Sequence, residues 1–358
     1  MPATPATSAV PTRIVFVTQK VDPQHPALAA TVRKIVALAA LADEVVVLTD
    51  GAVPGVLPAN CRVHEFGAAT QAGRGARFVA ALARELARRP RPVAVVAHMC
   101  PIYAVLAAPL VRPLGIRLLL WFTHWHISWL ARLAERLVTD VVSVDARSFP
   151  LPSTKVTALG HGIEVAEFPC AERPEPGPAL HVLQLGRTSS AKGMAEVVRG
   201  IAEARARGLD ARLLFHGPSL TPAESAYRVE VEALVAGLGL GEAVTIGAAV
   251  PRSDVPALLA AADVFVNNMH AGSPDKVVFE AAASCVPVIA SNPVFDTLID
   301  PQWLFARDDA GDLADRLEAF AALPRDERAA IGRRLRARVV ESHSVASWAE
   351  GILRVARR

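Results

Sequence analysis

Short apolar runs rich in β-branched residues alternate with longer amphipathic stretches along most of the chain. Residues 13–18 and 44–49 have the length and valine content of buried strands, and residues 27–42 between them have helical character. Strand–helix–strand units at this spacing predict a parallel sheet with right-handed crossovers. The strands predicted for this first sheet are 13–18, 44–49, 62–66, 92–97, 117–122, 139–144 and 155–159.

A second α/β series follows a proline-rich segment. Pro169, Pro174, Pro176 and Pro178 make residues 169–178 the natural linker. The strands predicted after it are 181–185, 212–216, 243–247, 263–267 and 286–290, with helices at 194–207, 255–262 and 276–285. The pattern predicts an α/β protein with Rossmann-like domains at 1–170 and 171–342. We expect residues 343–358 to form a helix that packs on the first domain, because Val345, Trp348, Ile352 and Val355 share one face.

Two other stretches have features that are found in segments that contact or cross a membrane. Helix 75–89 carries Phe78, Leu82 and Leu86 on one face and arginines on another, a face that could contact an anionic membrane peripherally. A solvated helix face is commoner, and we favour it. Residues 102–121 are apolar but include two prolines and two arginines, which disfavours a transmembrane span.

Composition narrows the class of protein. A hydrophobic content of 52% with 20% charged residues indicates a globular protein, and a net charge of +3 gives no case for nucleic acid as a partner. The four cysteines contain no C-x-x-C pair, so the sequence suggests neither a zinc site nor a disulfide framework. Residues 1–10 lack the features of a signal peptide. We therefore expect a cytoplasmic protein in a reducing compartment.

The loop after the strand 181–185 has the composition of an anion site. Gly186 and Arg187 begin the loop, Lys192 and Gly193 end it, and a helix follows. A helix start supplies N–H groups and the two cations supply charge. The pattern G-x-x-x-x-G-K-[ST] of a Walker loop is missing. The loop 19–26 after the first strand has no glycine, which disfavours a dinucleotide-binding dehydrogenase.

Residues 271–290 are the second candidate for chemistry. They comprise a polar loop with glycine and proline, a helical run, and a short apolar strand. Glu280 is the carboxylate of the helical run and lies near the helix N-terminus, which favours anions. A loop, a helix start and a buried carboxylate suit a phosphorylated, hydroxyl-rich ligand. The alternative is an ordinary βαβ unit in which Glu280 is solvated.

Histidines follow two strands of the first half. His98 and His124 come at the carboxyl ends of the strands 92–97 and 117–122, where open α/β sheets bind ligands. We expect Trp121 to be core, whereas Trp125 is a plausible pocket wall. Together with His161, which lies in a turn between two glycines, His98 and Trp125 are the candidates for the acceptor side.

The order of these motifs resembles the retaining glycosyltransferases of family 4, the group 1 type. The resemblance rests on the loop motifs Gly186-Arg187, Lys192-Gly193 and Gly217-Pro218, on the Glu280 segment that ends at residues 286–290, and on His124 and the turn at 160–164 in the first half. It covers nearly the whole chain. It implies the GT-B architecture, in which two Rossmann-like domains face each other across a cleft.

The resemblance also implies roles for individual residues. Arg187 and Lys192 should hold the donor diphosphate, and Glu280 should accept hydrogen bonds from the ribose hydroxyls. His124 should face the donor sugar and, with the two cations, form the catalytic set. The backbone near Val250 and Pro251 should meet the base. The remaining donor-side residues are Gly186, Gly217, Gly272, Ser273, Asp275 and Lys276.

The chain departs from the family pattern in the same segment. Gly272 stands where the family has its first motif glutamate, and residues 273–275 read Ser-Pro-Asp where the family has Gly-Phe-Gly. Asp275 could replace the missing carboxylate, or it could only cap the following helix. Lys276 could add a phosphate contact. Cys285 replaces a glycine.

The activity implied is transfer of a hexosyl group, with retention, from a UDP- or GDP-linked sugar to an acceptor hydroxyl. Neither a metal nor a cofactor is expected, and the acceptor could be a sugar, a natural product or a lipid-linked molecule. One alternative is a nucleotide-sugar 2-epimerase, for which Asp22 is the one evident acid/base candidate in the first domain. The other is a catalytically impaired sugar-nucleotide-binding partner protein, an alternative that Gly272 supports.

Overall fold

The computed structural model of the protein describes residues 11–25, 28–124, 128–170 and 177–358, which form two compact units. The first unit extends to Gly162 and also includes Val345–Arg358, and the second is Ile163–Ser344. The boundary between the two units falls between Gly162 and Ile163, whereas the sequence predicts it after Cys170. Residues 163–170 belong to the second unit because hydrogen bonds connect them to it. Ile163 N donates to His343 O at 2.7 Å, and Arg336 donates to Phe168 O at 2.6 Å.

Two parallel sheets form the centres of the units. The strands are β1 (Arg13–Thr18), β2 (Glu44–Thr49), β3 (Cys61–Glu65), β4 (Ala94–His98), β5 (Arg117–Trp121), β6 (Asp140–Ser143), β7 (Val156–Ala158), β8 (Leu180–Leu185), β9 (Ala211–His216), β10 (Val244–Gly247), β11 (Val264–Asn267) and β12 (Val288–Ala290). The order is β3-β2-β1-β4-β5-β6-β7 in the first sheet and β10-β9-β8-β11-β12 in the second. The predicted α/β class with two Rossmann-like units is confirmed.

Helices connect the strands. They are α1 (Ala29–Leu41), α2 (Gln71–Ala87), α3 (Pro101–Val111), α4 (Trp129–Leu137), α5 (Met194–Ala206), α6 (Pro222–Gly237), α7 (Val255–Ala261), α8 (Lys276–Ala283), α9 (Ala310–Ala321), α10 (Arg325–Ser342) and α11 (Val345–Ala356). None of the described helices combines the length and the apolar character needed to span a bilayer.

Each sheet has one point at which the strand order reverses. In the first sheet this switch point lies between β1 and β4, and in the second it lies between β8 and β11. The neighbouring connections leave opposite faces of the sheet there, so a crevice opens at the carboxyl ends of the two strands. The residues that follow β1, β4, β8 and β11 are therefore the ones that the fold offers to a ligand.

The first unit has its core beneath α2 and α3. Phe66, Phe78 and Tyr103 pack with ring centroids 4.9–5.5 Å apart, and the predicted apolar face of α2 is buried. The helix begins at Gln71, earlier than predicted, because Thr70 Oγ1 accepts a hydrogen bond from Gly73 N at 3.1 Å and caps the first turn.

The C-terminal helix α11 packs against α1 of the same unit. Its apolar face is buried as the sequence predicted, and Trp348 is fully enclosed. The indole of Trp348 meets that of Trp121 edge-on at 5.6 Å between centroids. Trp121 is core, as expected.

The strand β12 is shorter than predicted. The sequence indicates a strand from Val286, but Val286 N donates back to Ala281 O at 2.9 Å and closes the end of α8. Cys285 adopts a φ of +58°, the left-handed geometry with which many helices end. Pro287 has no N–H to offer to a neighbouring strand. The ladder therefore starts at Val288.

Candidate active site

The loop after β8 is built around a close approach of two glycines. Gly186 has a φ of +138°, a backbone geometry that side chains rarely adopt. A Cβ at Gly217, just after β9, would overlap the carbonyl oxygen of Gly186. A Cβ at Gly186 would collide with the side chain of Lys192, which lies across it. The absence of side chains at both positions therefore lets Lys192 lie against the carboxyl end of β8.

Lys192 forms an ion pair with Asp275 at the switch point between β8 and β11. Asn267, the last residue of β11, donates to the same carboxylate oxygen at 2.8 Å. The ion pair is nearly buried, with 12% of the lysine and 13% of the aspartate side chain exposed. The carbonyl of Lys192 accepts a hydrogen bond from Gln184 Nε2 at 2.9 Å.

Asp275 occupies the N-cap position of α8, yet its side chain makes no capping hydrogen bond. The alternative that Asp275 only caps the helix is therefore wrong. The carboxylate turns to Lys192 instead, because a charged partner stabilises it more than a single backbone N–H does.

Glu280 is buried, and two cations hold it. Only 3% of its side chain is exposed. Its Oε1 accepts from Arg252 Nη1 at 2.9 Å and lies 2.8 Å from Lys276 Nζ. Among the described residues, no hydrogen bond involves Oε2. The alternative of a solvated Glu280 is thus wrong.

Arg252 joins Glu280 to a second carboxylate. Its Nη2 donates to Glu167 Oε2 at 3.0 Å. Burial opposes the charge of Arg252, but the carboxylates of Glu280 and Glu167 outweigh it and raise the pKa of the guanidinium above its ordinary value. The sequence offers Lys276 as an additional phosphate contact, and in the structure its ammonium pairs with Glu280.

Arg187 is the most open of the predicted phosphate-binding residues. Its side chain is 57% exposed, and Nη1 lies 3.2 Å from Oε1 of the nearly buried Glu224. The other oxygen of Glu224 accepts from Leu220 N at 2.7 Å, which fixes the carboxylate. Across the described part of the chain, Arg187 forms no hydrogen bond with Lys192 and no ion pair with Glu280.

The turn that carries Gly272 and Ser273 is held by the buried side chain of Asn292. Asn292 Oδ1 accepts from Gly272 N at 3.2 Å, and Nδ2 donates to Ser273 O at 2.8 Å and to His270 O at 2.7 Å. Gly272 has a φ of +77°. The turn is thus defined although Gly272 has no side chain. Val250 lies in the loop between β10 and the 3₁₀ turn at Arg252, where a base contact stays a prediction.

The cysteine prediction is wrong in one respect. Cys170 and Cys285 form a disulfide with their Cα atoms 5.2 Å apart. They are 115 residues apart in sequence, so spacing alone could not pair them. Arg336 of α10 also donates to the carbonyls of Phe168 and Ala283, which joins the same two segments.

The first unit presents a different set at its switch point. His98 ends β4 and is buried between Phe16, at 5.4 Å, and Trp121, at 6.4 Å between ring centroids. Burial, and secondarily the charge of Lys34, lower the pKa of His98 well below its ordinary value. Neither ring nitrogen of His98, nor Oγ1 of the buried Thr18 at the end of β1, has a hydrogen-bond partner in the described residues.

Two other predicted residues of the first unit lie in loops. His124 lies in the loop after β5, where its backbone N–H donates to Ser148 O at 3.3 Å. His161 lies in the turn after β7. Trp125 falls outside the described residues. The roles of His98, His124, Trp125 and His161 stay predictions. Asp22, the epimerase candidate, accepts from Gln24 N at 2.8 Å.

Sequence reasoning missed several residues that shape the charged site. Arg252 was not among the predicted site residues, although it directly follows Val250 and Pro251. Its partner Glu280 lies 28 residues further along the chain, so the sequence does not show that the two are paired. Asn267 had a visible signal, because it is a polar residue at the end of an apolar strand, where ligands bind. Glu224 gave none, since it lies within a helix.

The two parallel sheets have the architecture of the GT-B fold. Residues 171–338, slightly less than half of the chain, match the family model described as "Glycosyl transferases group 1".

A curated relative and several solved structures are similar to this chain. A "Putative colanic acid biosynthesis glycosyltransferase WcaL" of Escherichia coli (strain K12) is 25% identical over 214 residues, which are 56% of this chain and 51% of that protein. The chain thus spans about half the length of the curated relative that it matches.

The structural relatives agree over nearly the whole chain. A glycosyltransferase from Rickettsia africae ESF-5 has a TM-score of 0.75 at 16% identity, covering 97% of this chain and 98% of that one. HepE from Anabaena, solved with UDP and glucose, has a TM-score of 0.72 at 16% identity, covering 96% and 99%. Sucrose-phosphate synthase from Thermosynechococcus elongatus has a TM-score of 0.72 at 18% identity, covering 97% and 98%. At these identities the likeness shows the fold alone.

Proposed function

We propose that the protein transfers a hexosyl group from a UDP- or GDP-linked sugar to an acceptor hydroxyl, with retention of configuration and without a metal ion. The observation that carries the proposal is the buried Glu280, held by Arg252 and Lys276. It lies in the same unit as the Lys192 loop, which follows a switch-point strand. A fixed carboxylate and nearby cations suit a ligand that combines hydroxyl groups with phosphates.

We assign the donor diphosphate to Lys192 and Arg187. The glycines at 186 and 217 leave the backbone of this loop open, and the ammonium of Lys192 is held at the carboxyl edge of the sheet. Arg187 is exposed enough to reach a ligand without moving a packed side chain. Two donors on a diphosphate would form charge-assisted hydrogen bonds, which are about twice as strong as neutral ones.

We assign the ribose hydroxyls to Glu280. Oε1 already accepts from Arg252 and pairs with Lys276, and no hydrogen bond among the described residues involves Oε2. Oε2 is therefore the acceptor that a ribose diol would use. The backbone near Val250 is assigned to the base.

The reaction needs no enzymic nucleophile. The bond between the anomeric carbon and the diphosphate oxygen breaks, and the bond from the acceptor oxygen forms on the same face of the sugar. The acceptor proton passes to an oxygen of the departing diphosphate. Negative charge develops on that diphosphate, so preorganised cations lower the barrier. This is the term we assign to Arg187 and Lys192.

The partners follow from this assignment. HepE was solved with UDP and with UDP-glucose, which supports a nucleotide sugar as donor. We propose no cofactor and no resident metal, and a sugar, natural-product or lipid-linked acceptor, with His98, Trp125 and His161 on the acceptor side. We expect a cytoplasmic location and no nucleic-acid partner. In the described residues no three His, Cys, Asp or Glu side chains group as metal ligands.

The test is turnover with product analysis. The protein is incubated with each of a panel of UDP- and GDP-linked sugars and simple glycoside acceptors, and the products are identified by mass spectrometry and proton NMR. We expect free nucleoside diphosphate together with a glycoside of the donor's anomeric configuration. An isomeric nucleotide sugar formed without an acceptor would instead establish the epimerase. Binding without turnover of any donor would establish the non-catalytic alternative.

A further inference from the structure

Carboxylates balance the cations around the proposed donor site. The cations Arg187, Lys192, Lys276 and Arg252 pair with the carboxylates Glu224, Asp275, Glu280 and Glu167. A site that must bind a diphosphate usually presents excess positive charge. This one is balanced before any ligand arrives, so a phosphate that approaches a nearly buried cation such as Lys192 competes with that cation's own carboxylate.

The pair of Lys192 and Asp275 is the one that conflicts with the ligand. Lys192 is the cation held at the switch-point strand, and its ammonium contacts Asp275 Oδ2. Asn267 donates to the same oxygen at 2.8 Å, so the carboxylate receives a cation and an amide donor, as a bound phosphate would. The side chain of Asp275 thus fills the position of an anion in this site.

The neighbouring pairs differ from it. Glu224 is fixed by the backbone of Leu220, and Arg187 is exposed enough to bind a phosphate while it keeps this partner. Glu280 belongs to the proposed ribose contact and need not leave. Asp275 lies at the junction of a loop and a helix and makes no capping bond, and its carboxylate contacts Lys192 and Asn267 rather than the backbone of the helix. It is therefore the carboxylate that a diphosphate would displace.

We propose that Asp275 is an internal counter-anion, which holds Lys192 when the site is empty and exchanges with the diphosphate in each catalytic cycle. This inference rests on the proposed donor site. Its consequence concerns product release. The free nucleoside diphosphate carries more negative charge than the nucleotide sugar, because its terminal phosphate is no longer esterified. A competing carboxylate therefore weakens binding of the product more than binding of the donor. As the product leaves, the carboxylate pairs with Lys192 again.

Asp275→Asn tests this directly. The amide keeps the shape and one oxygen that can accept from Asn267, but it removes the negative charge. Calorimetry with UDP, GDP and inorganic pyrophosphate should show binding about tenfold tighter than in the wild type, because a like charge next to the ligand is gone. Uridine and guanosine, which carry no phosphate, should bind as before. In the steady state, inhibition by the diphosphate product should strengthen and kcat should fall.

Asp315→Asn is the matched control. Asp315 lies on α9 with 61% of its side chain exposed, where it pairs with Arg207 at 2.6 Å. The substitution makes the same change in net charge in the same unit, and we expect it to leave diphosphate affinity unchanged. If Asp275→Asn binds diphosphates no more tightly than Asp315→Asn does, Asp275 is not a counter-anion. Weaker binding would also overturn the proposal, because Asp275 would then assist the ligand.

A second variant separates this inference from the donor site itself. If Lys192→Ala weakens UDP or GDP binding while Asp275→Asn leaves it unchanged, the donor site stands and the counter-anion fails. If Lys192→Ala binds both nucleotides like the wild type, the donor assignment fails as well. Asp275→Ser, which has neither the charge nor the length to reach Lys192, repeats the test in case the asparagine variant does not fold. Tighter diphosphate binding by the serine variant supports the proposal, and unchanged binding contradicts it.

Discussion

The two sheets of this protein have equivalent switch points, but the residues there differ in kind: neutral and aromatic in the first unit, charged and polar in the second. In the first unit, the ends of β1 and β4 carry Thr18 and the neutral, buried His98 among aromatic rings. In the second, the ends of β8 and β11 carry Lys192 and Asn267, which meet at the carboxylate of Asp275. The fold alone therefore does not decide what binds. The residues just after the switch-point strands do, and only the second set suits a diphosphate.

The difference also explains how each set is stabilised. The aromatic cluster of the first unit gains its stability from burial of apolar area, whereas the second unit holds charges that need partners to be buried at all. Substitutions in the first cluster should thus change folding, and those in the second should change ligand binding and rate. Four experiments test this division, and a fifth tests whether the reaction needs a metal ion.

The largest effect should come from Trp348→Ala in the first unit. Trp348 is fully buried against Trp121, and removing a core aromatic ring costs about 3–5 kcal/mol of unfolding free energy. Chemical denaturation measures the change. Trp129→Ala is the control, because that indole is 70% exposed and its loss should change stability by less than about 0.5 kcal/mol. Equal effects in the two variants would contradict the assignment of Trp348 to the core.

Arg187→Ala and Lys192→Ala should each lower kcat by about 10²–10³, the scale of one lost preorganised contact to developing charge. Turnover of the best nucleotide sugar is the measurement. Arg199→Ala provides the control, since Arg199 is also exposed and ion-paired, with Glu196, but on the surface of α5. Wild-type turnover by the Arg187 and Lys192 variants would remove both from the phosphate site.

Glu280→Gln should weaken nucleoside diphosphate binding by about 1–3 kcal/mol, the range for hydrogen bonds to a charged group. The amide still accepts one hydrogen bond but offers no charge to Arg252 and Lys276. Calorimetry on the variant and on Glu232→Gln, an exposed carboxylate on α6 paired with Arg228, gives the comparison. Unchanged affinity in the Glu280 variant would assign that carboxylate to structure alone.

His98 should make the first unit sensitive to acid. Its pKa is lowered in the folded state, so below the ordinary value of 6.5 the unfolded chain binds a proton that the folded chain excludes. Above pH 6.5 the neutral His98 therefore has no effect on how the free energy of unfolding changes with pH. As the pH drops from 6.5 towards the pKa of His98 in the folded state, that free energy falls by about 1.4 kcal/mol per pH unit. Thermal unfolding of wild type and His98→Leu between pH 5 and pH 7.5 tests this. An equal acid slope in both proteins would assign the effect to other groups.

Chelation should have no effect on the rate. Arg187 and Lys192, with hydrogen bonds from the N–H groups of the loop, would offset the charge of the leaving diphosphate without a metal ion. We expect the same turnover before and after EDTA treatment. A loss of activity that magnesium or manganese restores would contradict the metal-independent mechanism.

Much of the fold could be predicted from the sequence because it depends on local pattern. Valine-rich runs such as β2 and β4 are short, apolar and separated by amphipathic helices, so a parallel sheet follows. The predicted ends of helices and strands differ from the structure where a single hydrogen bond decides them. The cap from Thr70 extends α2, and the bond from Val286 N to Ala281 O shortens β12.

The candidate site was predictable only in part. Gly186, Lys192 and Glu280 lie at strand and helix ends, where composition points to ligands. The pairing of Arg252 with Glu280 and that of Cys170 with Cys285 join residues far apart in the sequence. Such contacts depend on the packed structure and leave no periodic signal. Asp275 was noticed as a departure from the family, but its partner could be found only in three dimensions.

The most direct test of the account is a thermal-shift screen against UDP- and GDP-linked sugars. Wild type is compared with the double variant Lys192→Ala/Glu280→Gln, which lacks one predicted contact to the diphosphate and one to the ribose. Because ligand binding to the folded state raises the unfolding midpoint, at least one nucleotide sugar should raise that of wild type and leave that of the double variant unchanged. A panel that shifts neither protein, or shifts both equally, would contradict the claim that the second unit is the donor site.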